Sequence, residues 1–210
     1  EIYTPNVVGS SDVYKRQFDS AGQRCSALRV LCVQEEIYDD LKDMIIGNMQ
    51  IQTVGDPNFF DTDIGPIIND KAYKKLTSYI SLCSEKGYKI HQPNQKVSDM
   101  HIAPTLIEIN SISNITEEQF GPILHILKYS SNEIDELINQ INRSEYGLTM
   151  GIHSRIEARA DYMSSRSNVG NIYINRDMVG AVVGSQPFGG IGLSGSGFKA
   201  GGPNYLLPVS

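Results

Sequence analysis

The sequence has no tryptophan, only three cysteines, and no apolar run near the roughly 20 residues that a bilayer-spanning helix requires. The last absence excludes a membrane span. Cys25, Cys32 and Cys83 form an odd, sparse set, which excludes a disulfide framework. No Cys-x-x-Cys or His-x-x-x-His pair occurs, and His91, His101, His125 and His153 are scattered, so no metal site is expected. Basic residues are also in short supply: 18 Lys and Arg face 24 Asp and Glu, a net charge of −6. That balance argues against nucleic acid and against anionic membranes, because both are bound through a surplus of cations. The N-terminus lacks a basic stretch followed by a long apolar core. No signal peptide is therefore expected, and a reducing cytoplasm is the default location.

What is present is an alternation of strand-like and helix-like segments, which argues for an α/β fold. The 210 residues, 40% of them hydrophobic, can bury a core without a disulfide or metal staple. Leu28 to Val33 reads as a buried strand, and Ile37, Leu41, Met44, Ile45 and Asn48 then follow helical spacing. The clearest helix runs over about 70–86. Ala72, Tyr73, Leu76, Tyr79, Ile80 and Cys83 form its stripe, with Gly87 as the stop. Cys83 is thereby a small core residue. Further strands are expected over 105–109, 123–129, 146–152 and 169–175. Helices are expected from an N-cap at Asn132 and over 154–165. From Gly180 the chain is Gly-rich, either a flexible end or an ordered, site-forming loop. Glu1 to Gln17 shows no clear period and stays unassigned, as foreign or junction sequence.

The segment richest in chemistry is Phe18-Asp19-Ser20-Ala21-Gly22-Gln23-Arg24-Cys25-Ser26. Here a cysteine precedes a buried strand, follows a glycine that permits an unusual turn, and adjoins Arg24, a cation of the kind that favours a thiolate. A lone cysteine is more often structural, and Cys32 fits that reading. The spacing Phe-x-x-x-Gly-Gln-x-Cys, however, resembles the nucleophile motif of the aldehyde dehydrogenase superfamily. Other segments follow in that family's order. Gly55-Asp56-Pro57 and Asp61-Thr62-Asp63-Ile64-Gly65-Pro66 resemble its loop before an amphipathic helix. Glu117-Glu118-Gln119-Phe120-Gly121-Pro122 resembles its cofactor motif, and Gln186 to Gly195 its late Pro-Phe-Gly-Gly loop. The resemblance spans Phe18 to Pro203. Within the superfamily, Ala21 to Leu31 resembles the Δ1-pyrroline-5-carboxylate (L-glutamate γ-semialdehyde) dehydrogenases. Arg176 to Gly184 and Lys199 to Pro203 resemble the version fused in bacterial bifunctional proline utilisation A proteins.

The resemblance implies an α/β catalytic domain over 18–195, a doubly wound, mostly parallel sheet with flanking helices, and a tail over 196–210. It implies that Cys25 attacks an aldehyde as a thiolate and that its own backbone N–H helps hold the oxyanion. Hydride would pass to NAD, and water would release the acid. Glu118 would accept hydrogen bonds from the nicotinamide ribose and Phe120 would pack beside it. Their plainer readings are a solvated carboxylate and a core aromatic. Ser26, with the backbone N–H groups of Gly180 and Ala181, would receive the substrate carboxylate, while Phe188 walls its aliphatic part. Family members pair through exchanged strands, which implies a homo-oligomer for the intact protein. Gly190 to Gly195 also fits Gly-x-Gly-x-x-Gly, but the residues after Gly195 are not helical in pattern, so a dinucleotide fingerprint is rejected.

In the family, the main NAD-binding domain, a general-base glutamate in Glu-x-Gly-Gly and an oxyanion-hole asparagine lie upstream. No Glu-x-Gly-Gly occurs in this sequence. The 210-residue chain alone is therefore expected to be inactive, its parent being a dehydrogenase. Other readings are a dehydrogenase for another small aldehyde such as succinate semialdehyde, a non-catalytic assembly module, or a truncated product that exposes apolar surface.

Overall fold

The computed structural model describes residues 17–176, 178, 186–203 and 206. The chain divides into two compact units, Glu1–Ser131 and Asn132–Ser210.

The first unit is built on a four-stranded sheet of β1 (Val30–Gln34), β2 (Ile90–His91), β3 (Thr105–Ile109) and β4 (Ile123–Tyr129), in the order β1-β4-β3-β2. β4 is parallel to both β1 and β3, and β2 is antiparallel to β3. The two inner strands read as near-continuous apolar runs because both faces are covered. Leu106, Ile107, Ile123, Leu124 and Ile126 are fully buried. His125 is the one polar residue within that run on β4, and it is buried as deeply. The crossovers carry α1 (Tyr38–Gln50) and α2 (Asp70–Glu85). Asn69 caps α2, its side chain accepting the Ala72 N–H at 2.9 Å. Gly87, at φ +78, terminates it, with the Tyr88 N–H returning to the Cys83 carbonyl at 3.0 Å. Leu76 and Cys83 face the core as the stripe predicts.

The second unit holds α3 (Ile134–Arg143), β5 (Tyr146–Gly147), β6 (Thr149–Ile152), α4 (Glu157–Arg166), β7 (Asn171–Ile174) and β8 (Ile191–Gly192). β6 runs parallel to β7, and β5 antiparallel to β8. Ile138, Ile152, Ala160 and Met163 form its core. Three expectations need correction here. α3 is entered from Glu133 rather than from an Asn132 cap, and no side-chain bond caps it. The single strand over 146–152 is two strands with different partners. The break falls at Leu148, whose carbonyl is taken by both the backbone and the side-chain N–H of Asn171, at 3.0 and 2.9 Å. α4 starts at Glu157, not Ser154, because Ser154 is held by Asn175 at 2.9 and 2.8 Å while its hydroxyl takes the Ile156 N–H. In the Gly-rich stretch, Phe188 and Ala200 exchange backbone bonds at 3.0 and 2.9 Å, and a turn rather than a helix comes after Gly192. This part of the stretch is ordered, and Asn171 anchors it by donating to the Gly189 carbonyl at 3.0 Å.

Candidate active site

The segment leading to Cys25 begins with three successive left-handed residues, Ser20 (φ 54), Ala21 (φ 52) and Gly22 (φ 65). Glycine adopts this conformation freely, whereas for Ser20 and Ala21 it costs about 1–2 kcal/mol each, so packing must hold them there. That packing is visible. A Cβ on Gly22 would lie 2.1 Å from the Gly121 carbonyl oxygen, so only glycine lets the two segments touch. Gln17, fully buried, donates to the carbonyls of Gly121 and Ile123 at 3.0 and 2.6 Å and holds the same contact from behind. The Gln23 side chain accepts the Ile68 N–H at 2.9 Å and donates to the Pro66 carbonyl at 3.2 Å. The Gly-Gln of the motif is therefore structural: one residue permits a close approach and the other is a strut to the Asp61–Pro66 loop.

The chain then reverses in a turn closed by the Ala27 N–H on the Arg24 carbonyl at 3.2 Å, with Cys25 and Ser26 as its central residues. Cys25 is exposed at the tip. Ser26 is only 3% exposed and Ala27 6%. Ser26, the second turn position, is thus buried directly beside the exposed thiol. Arg24 does not lie free beside the thiol either. Its guanidinium pairs with Asp19 at 3.1 Å and with the Ser20 hydroxyl at 3.0 Å.

Beneath this turn lies Arg29, the last residue before β1. Its Nη1 donates to the Gly22 carbonyl at 2.6 Å and its Nη2 to the Arg24 carbonyl at 2.9 Å. Its Nε donates to Glu118 Oε1 at 3.2 Å, and the guanidinium covers the Phe120 ring at 4.6 Å from the centroid. Burial lowers the affinity of Arg29 for its proton, while the facing Glu118 carboxylate opposes that loss. Glu118 is therefore no free surface carboxylate, though its side chain keeps 32% exposure. Phe120 is no core aromatic, being 42% exposed. Glu117 ties the same segment to α2 through Lys75 at 2.9 Å. A third layer supports Arg29 from below. The His125 ring Nδ1 lies 3.0 Å from the Arg29 carbonyl, an acceptor, so Nδ1 carries the proton and Nε2 accepts from the Tyr79 hydroxyl at 2.8 Å. Burial lowers the His125 pKa to about 4 and keeps this ring neutral.

The structure thus brings Cys25, Ser26, Glu118 and Phe120 into one unit. Phe188 belongs to the second unit, half-buried in its Gly-rich loop. Gly180 and Ala181 lie outside the described residues. Sequence reasoning overlooked Arg29 and gave Gln23 no role. A signal for Arg29 existed, since a cation directly before a buried strand needs an acceptor-rich neighbourhood. Burial works against thiolate at the other two cysteines, pushing Cys32 up to about 12 and raising Cys83 as well. Among the described residues, no group of three or more His, Cys, Asp or Glu could hold a metal ion, and no helix is long and apolar enough to cross a membrane.

The sequence model of the aldehyde dehydrogenase family matches residues 10–209. The chain belongs to the aldehyde dehydrogenase family. It is 48% identical over 203 residues to the bifunctional protein PutA of Klebsiella aerogenes, covering 93% of this chain and 16% of that protein. Against the 1-pyrroline-5-carboxylate dehydrogenase of Bacillus subtilis it is 33% identical over 205 residues, covering 96% of this chain and 39% of that enzyme. A crystal structure of a Bradyrhizobium japonicum proline utilization A mutant superposes with a TM-score of 0.89 at 43% identity, over 94% of this chain and 20% of that one. The chain thus spans well under half the length of the relatives it matches.

Proposed function

We propose that this chain carries the nucleophile and part of the cofactor contacts of an NAD-dependent L-glutamate γ-semialdehyde dehydrogenase of proline catabolism. One observation carries the reading: a single guanidinium, that of Arg29, joins the exposed Cys25 turn to Glu118 and Phe120. The names of the relatives, PutA and 1-pyrroline-5-carboxylate dehydrogenase, support the substrate class.

The chain's own residues divide the work. The Cys25 sulfur, as thiolate, bonds to the aldehyde carbon while the carbonyl electron pair moves to oxygen, giving a thiohemiacetal oxyanion. The Cys25 N–H donates to that oxyanion. Glu118 suits ribose hydroxyls, because a carboxylate only accepts, and Arg29 occupies just one of its oxygens. Phe120 offers a ring whose exposure leaves it room to wall a nicotinamide ribose. These residues therefore fit NAD, which when bound supplies the hydride acceptor. By the family resemblance, Gly180 and Ala181 would receive the substrate carboxylate, and Phe188 would flank its methylene groups. Ser26, next to the nucleophile in the same turn, offers its hydroxyl to the substrate carboxylate. The intact protein works in the cytoplasm as a homo-oligomer. The 210-residue chain alone turns over poorly, since thioester hydrolysis lacks its general base, typically worth about 10²–10⁴-fold.

The test uses the purified chain with L-glutamate γ-semialdehyde. The aldehyde is expected to slow iodoacetamide labelling of Cys25, and no NAD reduction near the rate of an intact enzyme is expected. Labelling that is indifferent to the aldehyde would refute the nucleophile, and rapid NAD reduction would refute the inactivity.

A further inference from the structure

Arg29 does more than cement two loops. In a trans peptide the C=O and the following N–H point to opposite sides, and no cis peptide occurs among the described residues. The Arg24 carbonyl is drawn inward, where it accepts from Arg29 Nη2 at 2.9 Å. The N–H at the other end of that peptide is the Cys25 N–H, and it must therefore point away from the guanidinium. The second carbonyl held by Arg29, that of Gly22 at 2.6 Å, lies three residues before Cys25 and stops the segment from rotating as a body. The remaining donor, Nε, reaches Glu118 at 3.2 Å, and the flat face of the guanidinium rests on Phe120. A planar five-donor fork can serve all of these partners at once, whereas a lysine ammonium, a point donor on a flexible stem, cannot.

We infer that Arg29 is a positioning residue: by gripping the Arg24 carbonyl it aims the Cys25 N–H at the oxyanion, and through Glu118 and Phe120 it locks that peptide to the cofactor-contact segment. The inference rests on the reading of Cys25 as the aldehyde nucleophile. It separates two reactions of one thiol. Alkylation by iodoacetamide is a displacement at carbon and needs no oxyanion donor. Addition to an aldehyde creates an oxyanion and does need one.

The experiment measures both on the 210-residue chain, with propionaldehyde as the probe. One quantity is the Cys25 alkylation rate without aldehyde, and the other is the aldehyde concentration that halves it. Arg29→Lys keeps the positive charge and loses the fork. It is expected to alkylate within about twofold of the wild type and to need at least about tenfold more aldehyde for protection, a share of the 10²–10³ that one oxyanion donor is worth. Arg29→Gln should lose protection at least as strongly. Equal aldehyde protection in wild type and Arg29→Lys overturns the inference and leaves the nucleophile reading standing. An alkylation rate that falls in step with the loss of aldehyde protection, alongside a lowered melting temperature, also overturns it, because that is the mark of a merely structural residue. A wild type that shows no aldehyde protection overturns the nucleophile reading and this inference together. Should both variants fail to fold, amide hydrogen exchange on the wild type decides. The Cys25 amide is expected to exchange without protection in the free chain and to slow under saturating aldehyde. A protected amide in the free chain, or one indifferent to aldehyde, overturns the inference.

Discussion

Gly22 and Gly87 form a natural pair of probes, because both are left-handed glycines but only one is crowded. Their φ angles are +65 and +78. An alanine at either position incurs the left-handed penalty of about 1–2 kcal/mol. At Gly87 nothing lies within 4 Å of the added Cβ, so Gly87→Ala should cost only that. At Gly22 the added Cβ would sit 2.1 Å from the Gly121 oxygen and 2.9 Å from the Gln17 oxygen. The first distance is about 1.2 Å inside the shortest ordinary C···O approach of about 3.3 Å. The neighbour is backbone and cannot swing aside, so the segments must part, at a further cost of about 1–3 kcal/mol for overpacking. Gly22→Ala should therefore destabilise by about 2–5 kcal/mol in total, and Gly87→Ala by about 1–2 kcal/mol. Urea unfolding at pH 7, followed by circular dichroism, measures both. At roughly 2–4 °C per kcal/mol for a chain of this size, melting should separate the variants by several degrees. Parting the segments also pulls the Gly22 carbonyl off Arg29, so the aldehyde concentration that protects Cys25 should rise in Gly22→Ala and not in Gly87→Ala. Equal destabilisation by the two substitutions would refute the close-approach argument.

Two further predictions concern titration and thiols. The ordinary histidine pKa of 6.5 falls to about 4 for the buried His125. As pH drops, the unfolded chain takes up that proton before the native one does. The stability from neutral His125 is thus complete above about 6.5 and is lost as pH falls towards 4, to an extent of about 3 kcal/mol. Urea midpoints at pH 7, 5.5 and 4.5 should fall more steeply for the wild type than for His125→Gln, and parallel slopes would contradict the assignment. Limiting iodoacetamide at pH 8, read by mass spectrometry, should modify Cys25 before Cys32 and Cys83, whose thiols burial raises. Labelling led by Cys32 or Cys83 would count against the exposed turn.

Much of the first unit was legible because its signals are local. The runs Thr105–Ile109 and Ile123–Tyr129 are apolar at nearly every position, and a strand covered on both faces has no other pattern. The helix Asp70–Glu85 carries its stripe and its stop within a few residues of each other. Legibility failed where a distant side chain overrode a local preference. Ser154 looked like a helix start until Asn175, 21 residues away, took both its backbone groups. Tyr146 to Ile152 looked like one strand until Asn171, 23 residues on, claimed the Leu148 carbonyl.

The candidate site divides along the same line. The residues of the candidate site were visible in the sequence: a cysteine behind a glycine and a glutamate before Phe-Gly-Pro, within a match to the aldehyde dehydrogenase family over residues 10–209. How those residues face one another was decided by tertiary structure alone. The ion pair that joins them links Arg29 to Glu118 across 89 positions. The physical reason is that reactivity depends on the orientation of single groups, an N–H or a carboxylate oxygen, and orientation is set by contacts between segments that no local pattern encodes.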